Sequence, residues 1–259
     1  MRVSLRGLFV ALAMALFQAT PVWAQTAEPS PVSPPAAEAV MPSVRSLFGD
    51  LVSDVRRLPT VSNGIWVGGS GALALAVHGQ DRMLTRRASG SHGLETALDA
   101  GELLGSGLVQ ASGAFGTYVV GRITHRPAIA IVGADLVRAQ MIDAGLIQGL
   151  KYAVGRTRPD GGRYSFPSGH SAASFTTATV LEQHFGWKAG VPAYAAAAYV
   201  AASRLSENRH YLSDVVFGAG IGILSGRAVT VGRGSHAFVV SPTARAGAVG
   251  VSFTRVVAE

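Results

Sequence analysis

A chain of 259 residues, 48% apolar and 14% charged, makes one domain or at most two, can bury a sizeable core and is not a disordered polymer. It has no cysteine, which excludes disulfides, thiol nucleophiles and thiolate metal sites. The net charge of +7, mostly arginine, suits an acidic lipid surface or an anionic substrate; nucleic acid is not expected as a partner of an exported chain.

Export is read from the N-terminus. Arg2 and Arg6 precede an apolar run over 7–17, and Val22-Trp23-Ala24 suits cleavage before Gln25. The run is shorter than the ~20 residues a bilayer span needs. Residues 1–24 are therefore expected to be a signal peptide, and the protein to work in the periplasm or cell envelope. Residues 25–42 are rich in Pro and Ala and read as a disordered linker.

A helical domain is expected over 43–227. Its first helix, 44–58, sets Val44, Leu47, Phe48, Leu51 and Val55 on one face and stops at Pro59. The stretches 58–77 and 103–121 carry no charge and no histidine. Either is long enough to span a membrane, but their Ser, Thr, Asn, Gln and Gly content favours buried helices of a soluble bundle. A helix or broken pair over 128–154 surrounds Asp135, Arg138 and Asp143. Two more cover 171–185 and 189–204, separated by Gly186-Trp187-Lys188. In a last helix, 211–226, Gly218, Gly222 and Gly226 recur every fourth residue and make a smooth face for a neighbour. The pattern then changes, and 228–259 reads as a short C-terminal β-hairpin.

Polar chemistry gathers between Lys151 and Asp214. Lys151 and Arg158 are seven residues apart, so on a continuing helix they would share one face, with Pro159 starting a loop. In Pro167-Ser168-Gly169-His170, Ser168 is a natural N-cap and Gly169 lets the backbone come close to a ligand. The first-turn N–H groups and helix dipole there form an anion site, from which His170 projects. Arg204 and His210 are six apart and need a turn between them. His210 and Asp214 are then i, i+4, where the carboxylate can accept from one ring nitrogen and free the other. Three cations, two imidazoles and a glycine-containing turn suit a phosphoryl group: cations for its oxygens, one imidazole to attack phosphorus and one to protonate the leaving group.

The order and spacing of these blocks resemble the type-2 phosphatidic acid phosphatase (PAP2) superfamily, which includes bacterial acid phosphatases and vanadium haloperoxidases. Its signature is Lys with Arg-Pro seven residues on, then Pro-Ser-Gly-His, then Ser-Arg with His six and Asp ten residues after the Arg. All three blocks are intact here, within 145–226. The resemblance implies an all-α helical bundle. It implies that His210 is the nucleophile, that Asp214 orients it, and that His170 is the general acid and base. It further implies that Lys151, Arg158, Arg204, Ser168 and Gly169 hold the phosphate, with neither metal nor cofactor.

The function expected is an exported phosphatase of phosphate monoesters, on a lipid or a soluble organic phosphate, with membrane-surface association open. Alternatives are an isoprenoid or lipid diphosphate phosphatase, a vanadate-dependent haloperoxidase and a non-catalytic anion- or lipid-binding envelope protein. A helix N-terminus disfavours the His170 imidazolium, so its proton is expected to be secured on substrate binding, with mildly acidic pH favoured. Arg156, Arg163 and Tyr164 are read as solvated loop residues, and His78, His92, His125, His184 and His236 are given no role.

Overall fold

The structure, a computed structural model, describes residues 41–230, 237–245 and 248–256. The expected signal peptide and nearly all of the expected linker lie outside the described residues. Pro42, counted with that linker, is held: its carbonyl accepts from Tyr118 Oη at 3.0 Å and from Arg122 Nη1 at 2.7 Å.

The described helices are α1 (Val44–Arg56), α2 (Val61–His78), α3 (Asp81–Ser89), α4 (His92–Leu98), α5 (Ala100–Gly105), α6 (Gly107–Ile123), α7 (Pro127–Val154), α8 (Gly169–Phe185), α9 (Trp187–Ser206) and α10 (Leu212–Thr230). Hydroxyl caps start four of them: Ser43, Thr60, Ser106 and Ser168 each accept from a backbone N–H three residues on. After α10, Ala237–Arg245 (β1) and Ala248–Val256 (β2) run antiparallel, with Ala237 opposite Val256. The fold class rests on the helices.

Helix α8 lies at the centre, packed on α7, α9 and α10. Its Ala172, Phe175 and Ala178 join Ile147, Ala201, Leu205, Leu212 and Val216 in the main core. The glycine face of α10 meets α8. A Cβ on Gly218 would lie 2.5 Å from the Ser168 carbonyl oxygen, and one on Gly222 would collide with the Ala172 carbonyl. Close approach of this kind lets α10 deliver its first turn to the N-terminus of α8, where the site forms.

Helices α2 and α6 depart from the expectation of burial. Ala74 is the buried residue of α2; Ala114, Tyr118 and Gly121 are those of α6. Val61, Ile65 and Leu75 on α2, and Leu108, Phe115 and Ile123 on α6, are more than half exposed. Each helix packs by one narrow edge, brought close where Gly133 on α7 admits the α6 backbone and Gly220 on α10 admits Ser70 of α2. One helix among the described residues is long and apolar enough to cross a membrane, over Leu212–Val229, and it is mostly buried in the bundle.

A buried ionic cluster ties α1 to α7 and α8. Arg138 is fully buried; it pairs with Asp135 and lies 3.2 Å from carboxylate oxygens of both Asp50 and Asp54. His184 Nε2 is 2.9 Å from Asp135 Oδ2, a specific partner for a histidine given no role from its place in the sequence.

Candidate active site

The first block is arranged differently from the shared-face expectation. Helix α7 ends at Val154, and Gly155 takes the left-handed conformation (φ 61°) that closes a helix C-terminus. Arg158 therefore lies in a turn, where its N–H donates to the Gly162 carbonyl (2.8 Å) and its own carbonyl accepts from Gly161 (3.1 Å). The Lys151 ammonium donates to the Tyr164 carbonyl at 2.8 Å, with Tyr164 held at a left-handed φ of 62°. Burial, and then Arg158, push the Lys151 pKa down to about 8, with Asp214 opposing in part. The Arg158 Nε is buried and makes no hydrogen bond within the described protein.

The second block caps α8 as expected. Ser168 is buried; its Oγ accepts from Ser171 N–H at 3.5 Å and its own N–H donates to the Asp214 carbonyl at 3.0 Å. Gly169 and His170 form the first turn. Helix α5 flanks His170: a Cβ on Gly105 would collide with Val200 and lie 3.1 Å from His170 Cδ2. The His170 pKa is pushed down to about 4, first by burial and then by Arg204 and His210; a bond to the Glu102 backbone opposes this. The direction matches the dipole argument, but burial is the main cause.

The third block turns between α9 and α10. Asn208 adopts φ 57°, and the N–H groups of Arg209 and His210 both donate to the Arg204 carbonyl, at 3.1 and 3.2 Å. The Arg204 side chain is buried, pairs with Glu207, and has its pKa lowered chiefly by that burial.

His210 precedes α10. Its Nδ1 lies 2.6 Å from the Ser165 carbonyl oxygen and 3.7 Å from Asp214 Oδ2. A carbonyl can only accept, so Nδ1 carries the proton and Nε2 keeps the lone pair. The tautomer is thus set by a backbone carbonyl, not by the Asp214 hydrogen bond expected from the i, i+4 spacing. Asp214 is buried and accepts from Ser165 Oγ, from Tyr211 N–H at 2.9 Å and from Arg156 Nη1 at 2.6 Å. Burial alone would raise its pKa; His210, Ser165, the Tyr211 N–H and Arg156 outweigh that and hold it below the usual carboxylate range. The His210 pKa is lowered, first by burial.

Two residues at this site escaped the sequence reading. Arg156, read as a solvated loop residue, bonds Asp214, Ser213 Oγ (2.8 Å) and Asp81 Oδ2 (2.8 Å). Asp81, the first residue of α3, is buried and accepts from the N–H (2.9 Å) and hydroxyl (2.6 Å) of Ser213. It thereby satisfies a free N–H at the start of α10. Position inside the Lys151–Arg158 block was the one available signal for Arg156; Asp81 had none. Tyr164 contributes its carbonyl, and Arg163 is exposed and rests on the Tyr164 ring at 5.1 Å.

Lys151, His170, Arg204 and His210 lie close enough that each shifts or is shifted by a neighbour's charge, and Arg158 acts on Lys151, Arg204 and His210. The result is a cationic socket with an α8 N-terminus and two imidazoles beside it. Such a socket can hold a tetrahedral oxyanion and offer it one nucleophilic nitrogen.

Residues 133–236 match the family described as PAP2 superfamily. A lipid A 1-phosphatase of Porphyromonas gingivalis is 42% identical over 86 residues, 32% of this chain and 19% of that protein. A lipid A 4'-phosphatase of Helicobacter pylori is 29% identical over 97 residues, 33% of this chain and 49% of that one. The matched regions thus span from about a fifth to about half of those relatives' lengths. Among solved structures, Aquifex aeolicus LpxE is similar with a TM-score of 0.49 and 25% identity, over 57% of this chain and 93% of that one. The transmembrane PAP2-type phosphatidylglycerolphosphate phosphatase of Bacillus subtilis gives 0.43 and 21%, over 71% and 92%. All three motif blocks fall inside the segment 133–236 that matches the PAP2 superfamily, and they fold into one cradle.

Proposed function

We propose that the protein is a phosphatase that hydrolyses phosphate monoesters of amphiphilic, lipid-like substrates through a phosphohistidine on His210. The observation that carries this reading is the pairing of the free His210 Nε2 with a socket where Arg158 Nε is buried and without a hydrogen bond in the described protein. In the first step Nε2 forms a P–N bond as the P–O bond to the leaving group breaks, and His170 delivers a proton to the departing oxygen. In the second, His170 takes a proton from water as that water attacks phosphorus and frees His210. Lys151, Arg158, Arg204, Ser168 and the Gly169 N–H hold the nonbridging oxygens while charge redistributes. His170 is largely neutral in the free protein near neutral pH, so the incoming phosphate must bring or secure its proton. This supports a mildly acidic optimum.

Apolar groups at the rim support an amphiphilic substrate. Tyr152 and Val154 are exposed in the last turn of α7 beside Lys151, and Leu103 and Leu104 are exposed on α5 beside His170. The outward apolar faces of α2 and α6 favour contact with a lipid surface. Two relatives named as lipid A phosphatases support the same substrate class. Export rests on the N-terminal pattern, and the mature chain is expected to begin at Gln25.

The test compares phosphate release from a phosphatidate, an isoprenyl diphosphate and a soluble aryl phosphate, with chelator present. Phosphatidate is expected to be the fastest. His210→Ala is expected to lose at least ~1000-fold in kcat and to trap no radiolabelled phosphoenzyme. Full activity in that variant would overturn the mechanism, and preference for the aryl phosphate would overturn the lipid substrate.

A further inference from the structure

Arg156 is not one of the cations that face a bound phosphoryl group, yet it is the most fully engaged arginine of the site. Nη1 donates to Asp214 Oδ1 (2.6 Å) and Ser213 Oγ (2.8 Å), and Nη2 donates to Asp81 Oδ2 (2.8 Å). The Tyr211 ring covers its guanidinium carbon at 4.2 Å. An arginine so committed has little left for a ligand oxygen, so any effect on chemistry must pass through its partners. Asp214 gives one oxygen to Arg156 and the other to Ser165 Oγ and the Tyr211 N–H. Ser165 closes the circuit: its N–H donates to the Arg156 carbonyl at 2.7 Å, and its carbonyl accepts from His210 Nδ1 at 2.6 Å.

We propose that Arg156, anchored by Asp81, is a positioning residue for His210: it fixes the orientation and charge of Asp214, and through Asp214 and Ser165 it keeps the imidazole aimed by its Nε2 at the phosphoryl socket. The proposal rests on the phosphatase reading above. Without the guanidinium, Asp214 loses the cation bonded to its Oδ1 and Ser165 loses the group that holds its own acceptor in place. The Asp214 charge would then act on His210 uncompensated and favour the imidazolium, which cannot attack. The other charged or titratable groups around this pair are Lys151, Arg158, His170, Arg204 and, beyond Arg156, Asp81 with His78; the Arg156 variants keep all of them.

The test uses the full chain carrying Arg156→Gln, Arg156→Lys, Asp214→Asn, and Arg156→Gln combined with Asp214→Asn. Arg156→Gln is expected to lower kcat about 100-fold while KM moves less than about threefold, as for a misaimed reacting group. The acid limb of its kcat/KM profile is expected to rise by about one pH unit. Arg156→Lys should recover at least about tenfold of the loss, and the double variant should be no slower than Asp214→Asn alone. A KM that rises as far as kcat falls, an unmoved acid limb or multiplicative losses would each overturn the proposal. Asp81→Asn guards against misfolding, since it leaves Arg156 and Asp214 in place; it should cost about tenfold in kcat, and nothing further on the Asp214→Asn background. If the wild type hydrolyses none of the substrates, the phosphatase reading fails separately. The positioning role is then read by NMR titration of labelled histidine, where Arg156→Gln should raise the His210 pKa by about one unit. An unchanged titration would overturn it.

Discussion

Lys151 lies in the last turn of α7, with its ammonium on the Tyr164 carbonyl and Arg158 nearby. A lysine with a pKa of about 8 loses its charge within the working range of an enzyme. Below that pH the socket has its full cationic set, and above it the free protein loses one member. We expect kcat/KM to fall with a limb near pH 8, and Lys151→Arg, which stays charged, to move that limb well beyond pH 9 while keeping activity at pH 7. A wild-type profile flat from pH 7 to 10 would remove Lys151 from phosphate binding. His170 shows the complementary case. Burial, more than the helix dipole, strips its proton in the free state, and the proposed mechanism has the bound phosphate restore it.

At the scale of elements, small residues decide how close the helices come and thus where the side chains end up. Gly101 and Gly105 let α5 lie against Ser203 and Val200 of α9, and Gly105 also touches His170. A methyl at Gly105 has no free space, and what must yield is Val200 or the His170 ring. Gly105→Ala is expected to destabilise by about 1–3 kcal/mol and to lower kcat at least tenfold. Thermal melting and steady-state kinetics read the two effects separately. Unchanged kcat would mean that α5 does not set the position of His170. The Gly218 and Gly222 contacts were legible as a smooth helix face, because a four-residue repeat is local information. Their partner, the cap of α8, was not. The same limit applies to Lys151 and Arg158, whose spacing suggested one helix face until Gly155, in a left-handed conformation, ended the helix between them.

For the molecule as a whole, buried charge is the feature that ties stability to pH. Asp143 is buried in α7, and that burial, partly opposed by Thr176, raises its pKa from 3.8 to about 8. A carboxyl neutral when folded and ionised when unfolded costs stability as pH rises from about 4 to 8, and the full cost persists above that. Asp143→Asn removes the titration. We expect its melting temperature to exceed that of the wild type by ~3–6 °C at pH 7.5, with the two converging near pH 4. Equal gains at both pH values would show that the effect is packing and not ionisation. The outer surface carries the second whole-molecule feature. Helices α2 and α6 were expected to be buried because they lack charge, but lack of charge does not say what excludes water; here each is covered along a narrow edge on one side only.

The sequence by itself determined the local turns and caps that carry these polar groups. The Ser168 cap, the Gly169 turn, the Arg204 to His210 turn and the basic block ending at Pro159 are short-range patterns, and short-range sterics and capping are enough to specify them. Tertiary structure alone decided what holds His210. Its partner is the main-chain carbonyl of Ser165, 45 residues away, and a carbonyl is common to every residue and leaves no mark in the sequence. Arg156 and Asp81, 75 residues apart, gain their roles only because α3 packs beside the first turn of α10. Side-chain chemistry can be read along the chain, whereas the contacts that aim it form only once distant helices pack together.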